Sequence, residues 1–583
     1  MILVPLLAAS AASGPLQEPS RPPLLDYRQV QVAMTRIATE HPDLAQVVPV
    51  GSAPSRGGRA IEALRLAAGA RGPGRPAILL VAGLDGTRAW TSDLALDHAS
   101  KLAAGYATDP KIKTFLDSTT LYVIPRANPD ACEARGAKPL VETSATGPGV
   151  DDDRDGRQGE DPPSDVDGDG LVTWMRVPDP DGEWMADPVD PRATIKADRK
   201  KGQHGIWKLV REGRDSDADE EASEDAERDA VVNRNFPHDW KEHAKESGLF
   251  ATDEPDARDL CDFVLEHRDI AFVLVYGELD DFSGKPKTVK DDAPLVKRMP
   301  PDGLPETDAA ILEEIGRRHG KLLEVHGESE GDDDGTFQAW CRFDRGLWTA
   351  SLSLWSIPLD AKEKPKEEEK KEEKKEEAGA PPEPPKADKD KDKDKKKADD
   401  EPKPSDEAKR LRWLDEKSET ARYLPWKKFK HPELGEVEIG GWAPYARSEP
   451  PEKDRETIAA GELEFLLSLS GMLPRLATSE CKATDLGGGV WKIEASIGND
   501  ALLPLASVAG RRSEVVRPAR VSIELPAGAR LIAGKREELV ADLPGSGGRK
   551  EFRWIVLGAA PANLAVAVDT DSAGSTRTVP EVK

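Results

Sequence analysis

Apolar runs along the first 360 residues alternate with stretches of helical periodicity. The runs read as buried strands, because they are short, continuous and bounded by loop-forming residues; they occur at 77–81, 121–124, 270–276 and 347–354. Apolar positions recur every three to four residues at 94–103, 258–266 and 309–323, as amphipathic helices require. Strands that alternate with helices predict an α/β fold, with a mainly parallel or mixed sheet flanked by helices, over 27–360.

The pattern changes after residue 480. Short runs of alternating apolar and polar residues recur between Gly- and Pro-containing turns, at 490–495, 520–525, 552–556 and 564–568. This spacing is typical of an antiparallel β-sandwich, which we predict for 480–583. A helix is predicted at 456–473, and we expect 411–475 to complete the α/β domain.

Three segments lack both patterns. The insert 147–230 is rich in Asp, Gly and Pro, so it is expected to form loops. Residues 361–410 are Lys, Glu, Asp and Pro with almost no apolar side chains, which predicts a disordered charged linker or insertion. Residues 1–14 are small and apolar and predict a signal peptide, hence export to a periplasm or the extracellular space; an Ala-rich tail is the alternative. No later apolar run approaches the roughly 20 residues of a membrane helix.

Net charge and cysteine content limit the classes of ligand and of structural site that we expect. The formal net charge is −26, which argues against nucleic acid, because phosphate binding requires clustered Lys and Arg. The four cysteines are scattered and form no CxxC pair, so buried thiols are expected rather than a zinc ribbon or a disulfide framework.

Acidic loops suggest a hard cation. Of three Asp-rich loops, at 151–156, 165–171 and 215–219, the middle one is the best, with Asp165, Asp167 and Asp169 separated by small residues. Arg176 stands where an EF-hand has its last glutamate, so the loop is not an EF-hand. Calcium binding is predicted here, with a solvated acidic loop as the alternative.

Three strings carry a family resemblance: NPD at 128–130, NRNFP at 233–237 and LWSIP at 354–358. In this order within an α/β pattern, 27–578 resembles the zinc carboxypeptidases (peptidase family M14, carboxypeptidase A-like), in a bacterial branch with a C-terminal β-sandwich. The resemblance implies a zinc ion held by an HxxE pair and a second histidine, and a glutamate as general base. It also implies an Asn-Arg pair that binds the substrate's terminal carboxylate, and a further arginine that polarises the scissile carbonyl.

Transferred to this chain, the resemblance gives an incomplete site. The carboxylate-binding pair is kept as Asn233 and Arg234, and Arg176 is the match for the polarising arginine. The ligand and general-base positions hold other residues: Asp85 and Arg88 for the HxxE pair, Gly277 for the second histidine, and Ser353 for the glutamate. We therefore expect no zinc, and hypothesise that Arg88 fills the metal position and pairs with Asp85.

Three functions remain open. The favoured one is a non-catalytic pseudopeptidase that binds the C-terminal carboxylates of peptides or proteins. An active zinc carboxypeptidase with a reorganised site is the second. A calcium-stabilised surface or adhesion module is the third. The sequence leaves the oligomeric state and any side-chain preference open.

Overall fold

The structure, a computed structural model, describes residues 24–69, 74–147, 161–215, 222–223, 229–284, 286–294, 303–323, 327–329, 331–359 and 403–583. The chain divides into two compact units. The larger unit comprises Arg21–Ser164, Ser223–Ser356 and Ser448–Lys583. The smaller unit contains Asp165–Ala222 and Ile357–Arg447.

The α-helices of five or more residues in the described part of the chain are α1 (Tyr27–Glu40), α2 (Thr91–Gly105), α3 (Pro110–Ser118), α4 (Pro129–Ala134), α5 (Pro255–Glu266), α6 (Glu306–His319), α7 (Asp406–Lys417), α8 (Glu452–Leu469) and α9 (Val508–Arg512). The strands up to residue 442 are β1 (Ala45–Pro49), β2 (Glu62–Leu66), β3 (Ala77–Val81), β4 (Thr120–Ile124), β5 (Trp174–Pro178), β6 (Trp184–Ala186), β7 (Thr194–Lys196), β8 (Trp207–Arg211), β9 (Ile270–Tyr276), β10 (Thr288–Val289), β11 (Leu304–Pro305), β12 (Trp348–Leu352), β13 (Tyr423–His431) and β14 (Gly435–Trp442). The remaining strands are β15 (Leu476–Asp485), β16 (Val490–Asn499), β17 (Ala519–Glu524), β18 (Arg530–Ala533), β19 (Glu537–Val540), β20 (Gly548–Leu557), β21 (Ala565–Asp569), β22 (Thr576–Thr578) and β23 (Glu581–Val582).

A six-stranded sheet in the order β1-β2-β4-β3-β9-β12 forms the centre of the larger unit. Strands β4, β3, β9 and β12 run parallel, and β1 and β2 are antiparallel additions at one edge. Every residue of β3, β4 and β9 is buried, as expected for a sheet covered on both faces. The predicted mainly parallel or mixed sheet is confirmed.

The C-terminal part of the larger unit consists of two further sheets. One has five strands in the order β18-β20-β16-β15-β23, and the other has four in the order β19-β17-β21-β22. Their pairs are antiparallel except β15 with β23. Alternate residues such as Ile493, Val521 and Trp554 share one buried cluster, so the alternating pattern marked the core-facing side chains correctly.

The smaller unit corrects the prediction of loops for the insert. Its six-stranded antiparallel sheet has the order β13-β14-β5-β8-β6-β7, and four of these strands come from the insert. Strands β13 and β14 therefore pair with the insert rather than completing the α/β domain. Only residues from Ser448 onward return to the larger unit, beginning with α8.

Several predictions fall outside the described residues: the signal peptide at 1–14, the acidic loop at 151–156 and most of the charged linker. The last residues of that linker lie in α7, whose first turn is capped by the Ser405 side chain. Within the described residues, no helix combines the length and apolar character needed to cross a membrane.

Candidate functional site

Three adjacent parallel strands place the transferred site positions at one edge of the sheet. Asp85 follows β3, Gly277 directly follows β9, and Ser353 directly follows β12. Asn233 lies in a 3₁₀ turn, Val232–Arg234. Carboxyl ends of neighbouring parallel strands are where α/β proteins bind ligands. The sheet therefore brings together the positions that the resemblance selected.

Asp85 is the centre of a buried hydrogen-bond network. The Asn233 side-chain amide donates to its Oδ1 over 3.0 Å, and the backbone N–H of Glu278 donates to its Oδ2 over 2.9 Å. Asn233 in turn accepts from the backbone N–H of Phe337 at 3.0 Å. Burial raises the pKa of Asp85, while these two hydrogen bonds and the charges of Arg234 and Arg88 oppose the rise. Both carboxylate oxygens thus have protein partners.

Gly277 makes room for this arrangement. A Cβ atom at residue 277 would stand 2.6 Å from Oδ2 of Asp85, closer than real Cβ contacts. A histidine at this position would therefore collide with the Asp85 carboxylate. With Asp85 in this orientation, no metal-ligating side chain fits at position 277.

Arg88 does not form the ion pair that we hypothesised. Its Nη1 donates to the carbonyl oxygens of Trp355, at 2.6 Å, and Ser448, at 3.2 Å. Asp85 lies in extended conformation directly before a second 3₁₀ turn, Gly86–Arg88. Its carboxylate accepts from the Glu278 N–H beyond the end of β9, whereas Arg88 donates to backbone carbonyls. The pairing hypothesis is wrong, although the Arg88 charge still helps to lower the pKa of Asp85.

Ser353 offers no general base. Its hydroxyl is buried and lacks a hydrogen-bond partner among the described residues, and a Cβ atom at Gly327 would stand 1.6 Å from it. The backbone N–H of Ser353 donates to Asp280 at 3.2 Å. The sequence interpretation did not single out Asp280; its carboxylate also accepts from the Phe282 N–H, and burial raises its pKa.

Arg234 keeps part of its side chain accessible. Its Nη1 donates to the Asp332 carbonyl at 2.6 Å and to the Asp332 carboxylate at 3.2 Å. The Arg234 side chain is 19% exposed and that of Asp332 is 73% exposed. In the predicted pair, Asn233 therefore hydrogen-bonds to Asp85, and Arg234 forms an ion pair with the largely exposed Asp332.

Comparison with known proteins covers the region that contains the NPD string at 128–130. Residues 30–171 match the family model described as zinc carboxypeptidase. Over these residues the chain is similar to the zinc carboxypeptidases. A zinc carboxypeptidase of Saccharothrix mutabilis subsp. capreolus is 28% identical over 109 residues, 18% of this chain and 25% of that protein. Mouse carboxypeptidase A2 is 32% identical over 102 residues, 18% of this chain and 23% of that protein. The aligned region thus spans about a quarter of these curated relatives.

Solved carboxypeptidases are similar at low identity. Bovine thrombin-activatable fibrinolysis inhibitor in complex with tick carboxypeptidase inhibitor has 12% identity and a TM-score of 0.32, covering 56% of this chain and 85% of that chain. Carboxypeptidase A from Helicoverpa armigera has 15% identity and a TM-score of 0.32, covering 58% and 65%. Residues 475–580 match a domain of unknown function (DUF8731).

Arg176 has aromatic neighbours in the structure. Arg176 lies in β5 of the smaller unit, whereas Asp85, Asn233 and Arg234 belong to the larger unit. Its guanidinium lies over the rings of Trp207 and Trp426, at 4.5 and 3.9 Å from their centres. With 4% exposure, Arg176 packs within the small sheet, and its assignment as a substrate-binding residue stays a prediction.

The acidic loop gains a partner that the sequence did not indicate. Carboxylate oxygens of Asp165, Asp167 and Glu212 lie within 4.8 Å of one another. Glu212 is fully buried and accepts from the backbone N–H groups of Val166, at 2.9 Å, and Thr173, at 2.9 Å. Asp169 is not part of this group. No local pattern marks Glu212, because it follows β8, more than 40 residues after the loop.

The three positions transferred from the resemblance offer few free side-chain donors for a metal. A catalytic zinc site has three nitrogen, sulfur or oxygen donors and an open position. Here position 277 supplies no side chain, position 88 supplies a cation, and the oxygens of Asp85 are already hydrogen-bonded.

Proposed function

We propose that this protein is a non-catalytic relative of the zinc carboxypeptidases that binds the C-terminal carboxylates of peptides or proteins. The observation that carries the proposal is the position of the Asp85 carboxylate: it accepts from the Glu278 N–H and lies 2.6 Å from where a Cβ atom at residue 277 would stand. The substrate-side chemistry is retained in part, because Arg234 remains partly exposed.

Loss of hydrolysis follows from two substitutions that act on one reaction. Without a fitting ligand set, no bound water is activated and no carbonyl is polarised by a metal. Without a carboxylate at position 353, general-base assistance is lost as well, which alone costs roughly 10²–10⁴ in rate. The neighbouring charge of Arg88 further disfavours a dication, since like charges repel strongly away from water.

Carboxylate binding is supported by the exposure of the two acids that pair with Arg234: Asp332 is 73% exposed and Glu246 is 62% exposed. An ion pair with a largely exposed acid contributes about 1 kcal/mol or less, so an incoming carboxylate can replace Asp332. A guanidinium binds a carboxylate through two parallel hydrogen bonds, which suits the terminal group of a peptide. A peptide with an amidated C-terminus lacks this charge and is the natural comparison.

The experiment combines metal analysis with peptide binding. After incubation with excess ZnCl₂ and desalting, we expect substoichiometric zinc and no release of C-terminal residues from a peptide panel. We expect labelled peptides with free C-termini to bind, their amidated forms to bind at least tenfold more weakly, and Arg234→Ala to abolish the difference. Arg317→Ala, at an exposed arginine paired with Glu314, is the matched control.

Two results would reverse the proposal. Stoichiometric zinc with turnover would establish the alternative, an active zinc carboxypeptidase. Equal binding of free and amidated peptides would remove the carboxylate role while leaving the loss of hydrolysis intact.

A second candidate rests on the group formed by Asp165, Asp167 and Glu212. Three carboxylates that approach one another are a set of hard oxygen ligands of the type that calcium prefers. If calcium stabilises the protein and no peptide binds, the calcium-stabilised surface or adhesion module becomes the better description. Export, which such a role requires, remains a proposal.

A further inference from the structure

A large cavity lies in the larger unit, away from the Asp85 network. Its volume is about 960 Å³, and α3, α8 and strands β15, β16 and β20 contribute its walls. Apolar surface comes from residues such as Phe115, Leu467 and Ala477, and hydroxyl groups come from Ser118, Ser470 and others. Ligand sites in proteins measure about 300–1,000 Å³ and combine apolar walls with a few polar groups. The cavity has this size and composition.

The charged side chains of the cavity leave one guanidinium without a counterion. Lys111 pairs with Glu464 at 2.8 Å, and Arg549 pairs with Asp500 at 2.7 Å. Arg475 also lines the cavity, but the described part of the chain gives it no carboxylate partner. The lining therefore has one excess positive charge, in a chain whose net charge is −26.

Hydroxyl groups hold Arg475 in place from one side. Its Nη2 donates to the Ser118 hydroxyl at 3.0 Å and to the hydroxyls of Thr119 and Ser470 at 3.2 Å. These contacts involve neutral acceptors only, so they orient the guanidinium without neutralising it. Burial accordingly lowers the pKa of Arg475.

A second arginine, Arg75, also hydrogen-bonds to Thr119. Nη2 of Arg75 donates to the Thr119 carbonyl at 3.3 Å, and Nη1 of Arg75 donates to the Ala68 carbonyl at 2.7 Å. Two guanidinium groups thus meet at the buried Thr119. Burial is the main cause that lowers the pKa of Arg75, and the charges of Arg65 and Arg475 add to it. An anion at Arg475 would reduce this repulsion.

We propose that this cavity binds a small organic molecule that carries a carboxylate or phosphate group. The acid group binds Arg475, and the remainder of the molecule packs against Leu467 and Ala477. A bare anion would leave most of the 960 Å³ unfilled, so the organic part supplies much of the contact. The proposal is independent of the Asp85 network and of peptide binding.

Titration calorimetry with simple amphiphiles tests the charge requirement. We expect octyl phosphate and octanoate to bind the full chain, octyltrimethylammonium not to bind, and inorganic phosphate to bind at least tenfold more weakly than octyl phosphate. The ratio between octyl phosphate and octanoate identifies the preferred acid group. No binding of either anion at millimolar concentration, or equal binding of the cation, would overturn the proposal.

Two variants locate the site. Arg475→Met is expected to weaken octyl phosphate at least tenfold, with Arg577→Met, at an exposed arginine paired with Glu524 on the same domain, as the unchanged control. Because Arg475 also braces α3, Ala477→Leu provides a test that keeps the guanidinium: it fills the cavity and should weaken octyl phosphate tenfold without affecting inorganic phosphate. Unchanged octyl phosphate binding in both variants would show that the ligand binds elsewhere.

Discussion

The Asp85 carboxylate occupies the space next to Gly277 that a side chain at this position would need. We therefore expect Gly277→His to lower the free energy of unfolding by about 1–3 kcal/mol, the usual range for overpacking. Chemical denaturation measures the change. Gly284→Ala is the control, because nothing lies within 4 Å of its Cβ position.

A double variant separates this contact from general strain. Asp85→Ala removes the carboxylate, so Gly277→His should cost less in the Asp85→Ala background than in the wild type. Equal costs in both backgrounds would mean that the collision with Asp85 is not the cause.

Arg88 stabilises the larger unit through carbonyl groups rather than through Asp85. Replacing it by alanine leaves the carbonyl oxygens of Trp355 and Ser448 without this donor, which should cost roughly 1–3 kcal/mol. Thermal and urea unfolding measure the loss. Arg258→Ala is the control, since Arg258 is exposed and donates to the Thr252 carbonyl. A melting temperature of Arg88→Ala equal to that of the control would contradict this role.

Asp256 makes the stability depend on pH. Burial, together with the charges of Asp130, Glu254 and Asp259, raises its pKa from 3.8 to about 8. The folded state holds this proton longer than the unfolded chain does, so stability falls as pH rises from about 4 to about 8. Asp256→Asn, which mimics the protonated form, should gain stability over the wild type.

The gain of Asp256→Asn should grow between pH 5 and pH 9 by an amount on the order of a few kcal/mol, because one pKa unit corresponds to about 1.4 kcal/mol. Urea unfolding at both pH values measures it, with the exposed Asp262→Asn on the same helix as control. A gain that is the same at both pH values would place the pH dependence elsewhere.

Much of the larger unit could be predicted because its strands are continuous apolar runs. Strands β3 and β9 have the predicted bounds, because each is a continuous run of apolar residues. The smaller unit's sheet lacked this pattern. Its strands mix Trp, Arg and Lys, and β5 pairs with β14, more than 250 residues later in the chain.

The sequence indicated which positions of the candidate site lie close together, but not which atoms their side chains contact. The resemblance located Asp85 and Gly277, and the structure brings both to one sheet edge. Two partners of Arg88 are backbone carbonyls 267 and 360 residues away, which no side-chain pattern encodes. Glu212 was missed for the same reason, because backbone N–H groups and a distant loop define its position.

Glu212 provides the sharpest test of calcium binding. If calcium binds at Asp165, Asp167 and Glu212, it stabilises the folded protein by about 2.7 kcal/mol at a concentration 100 times its Kd. Calcium should therefore raise the melting temperature of the wild type, and Glu212→Gln should remove the increase. Glu436→Gln, at an exposed glutamate of the same unit, is the control.

Because Glu212 also accepts backbone hydrogen bonds, its replacement lowers stability without calcium. The informative quantity is therefore the calcium-dependent shift in each variant, not the melting temperature itself. Asp167→Asn disturbs the loop less, since the Asp167 carboxylate accepts from the Asp169 N–H at 3.1 Å, a bond that asparagine can keep. If calcium raises the melting temperature of both variants as much as that of the wild type, these carboxylates do not bind calcium. They would then serve only as acceptors of backbone hydrogen bonds in the loop.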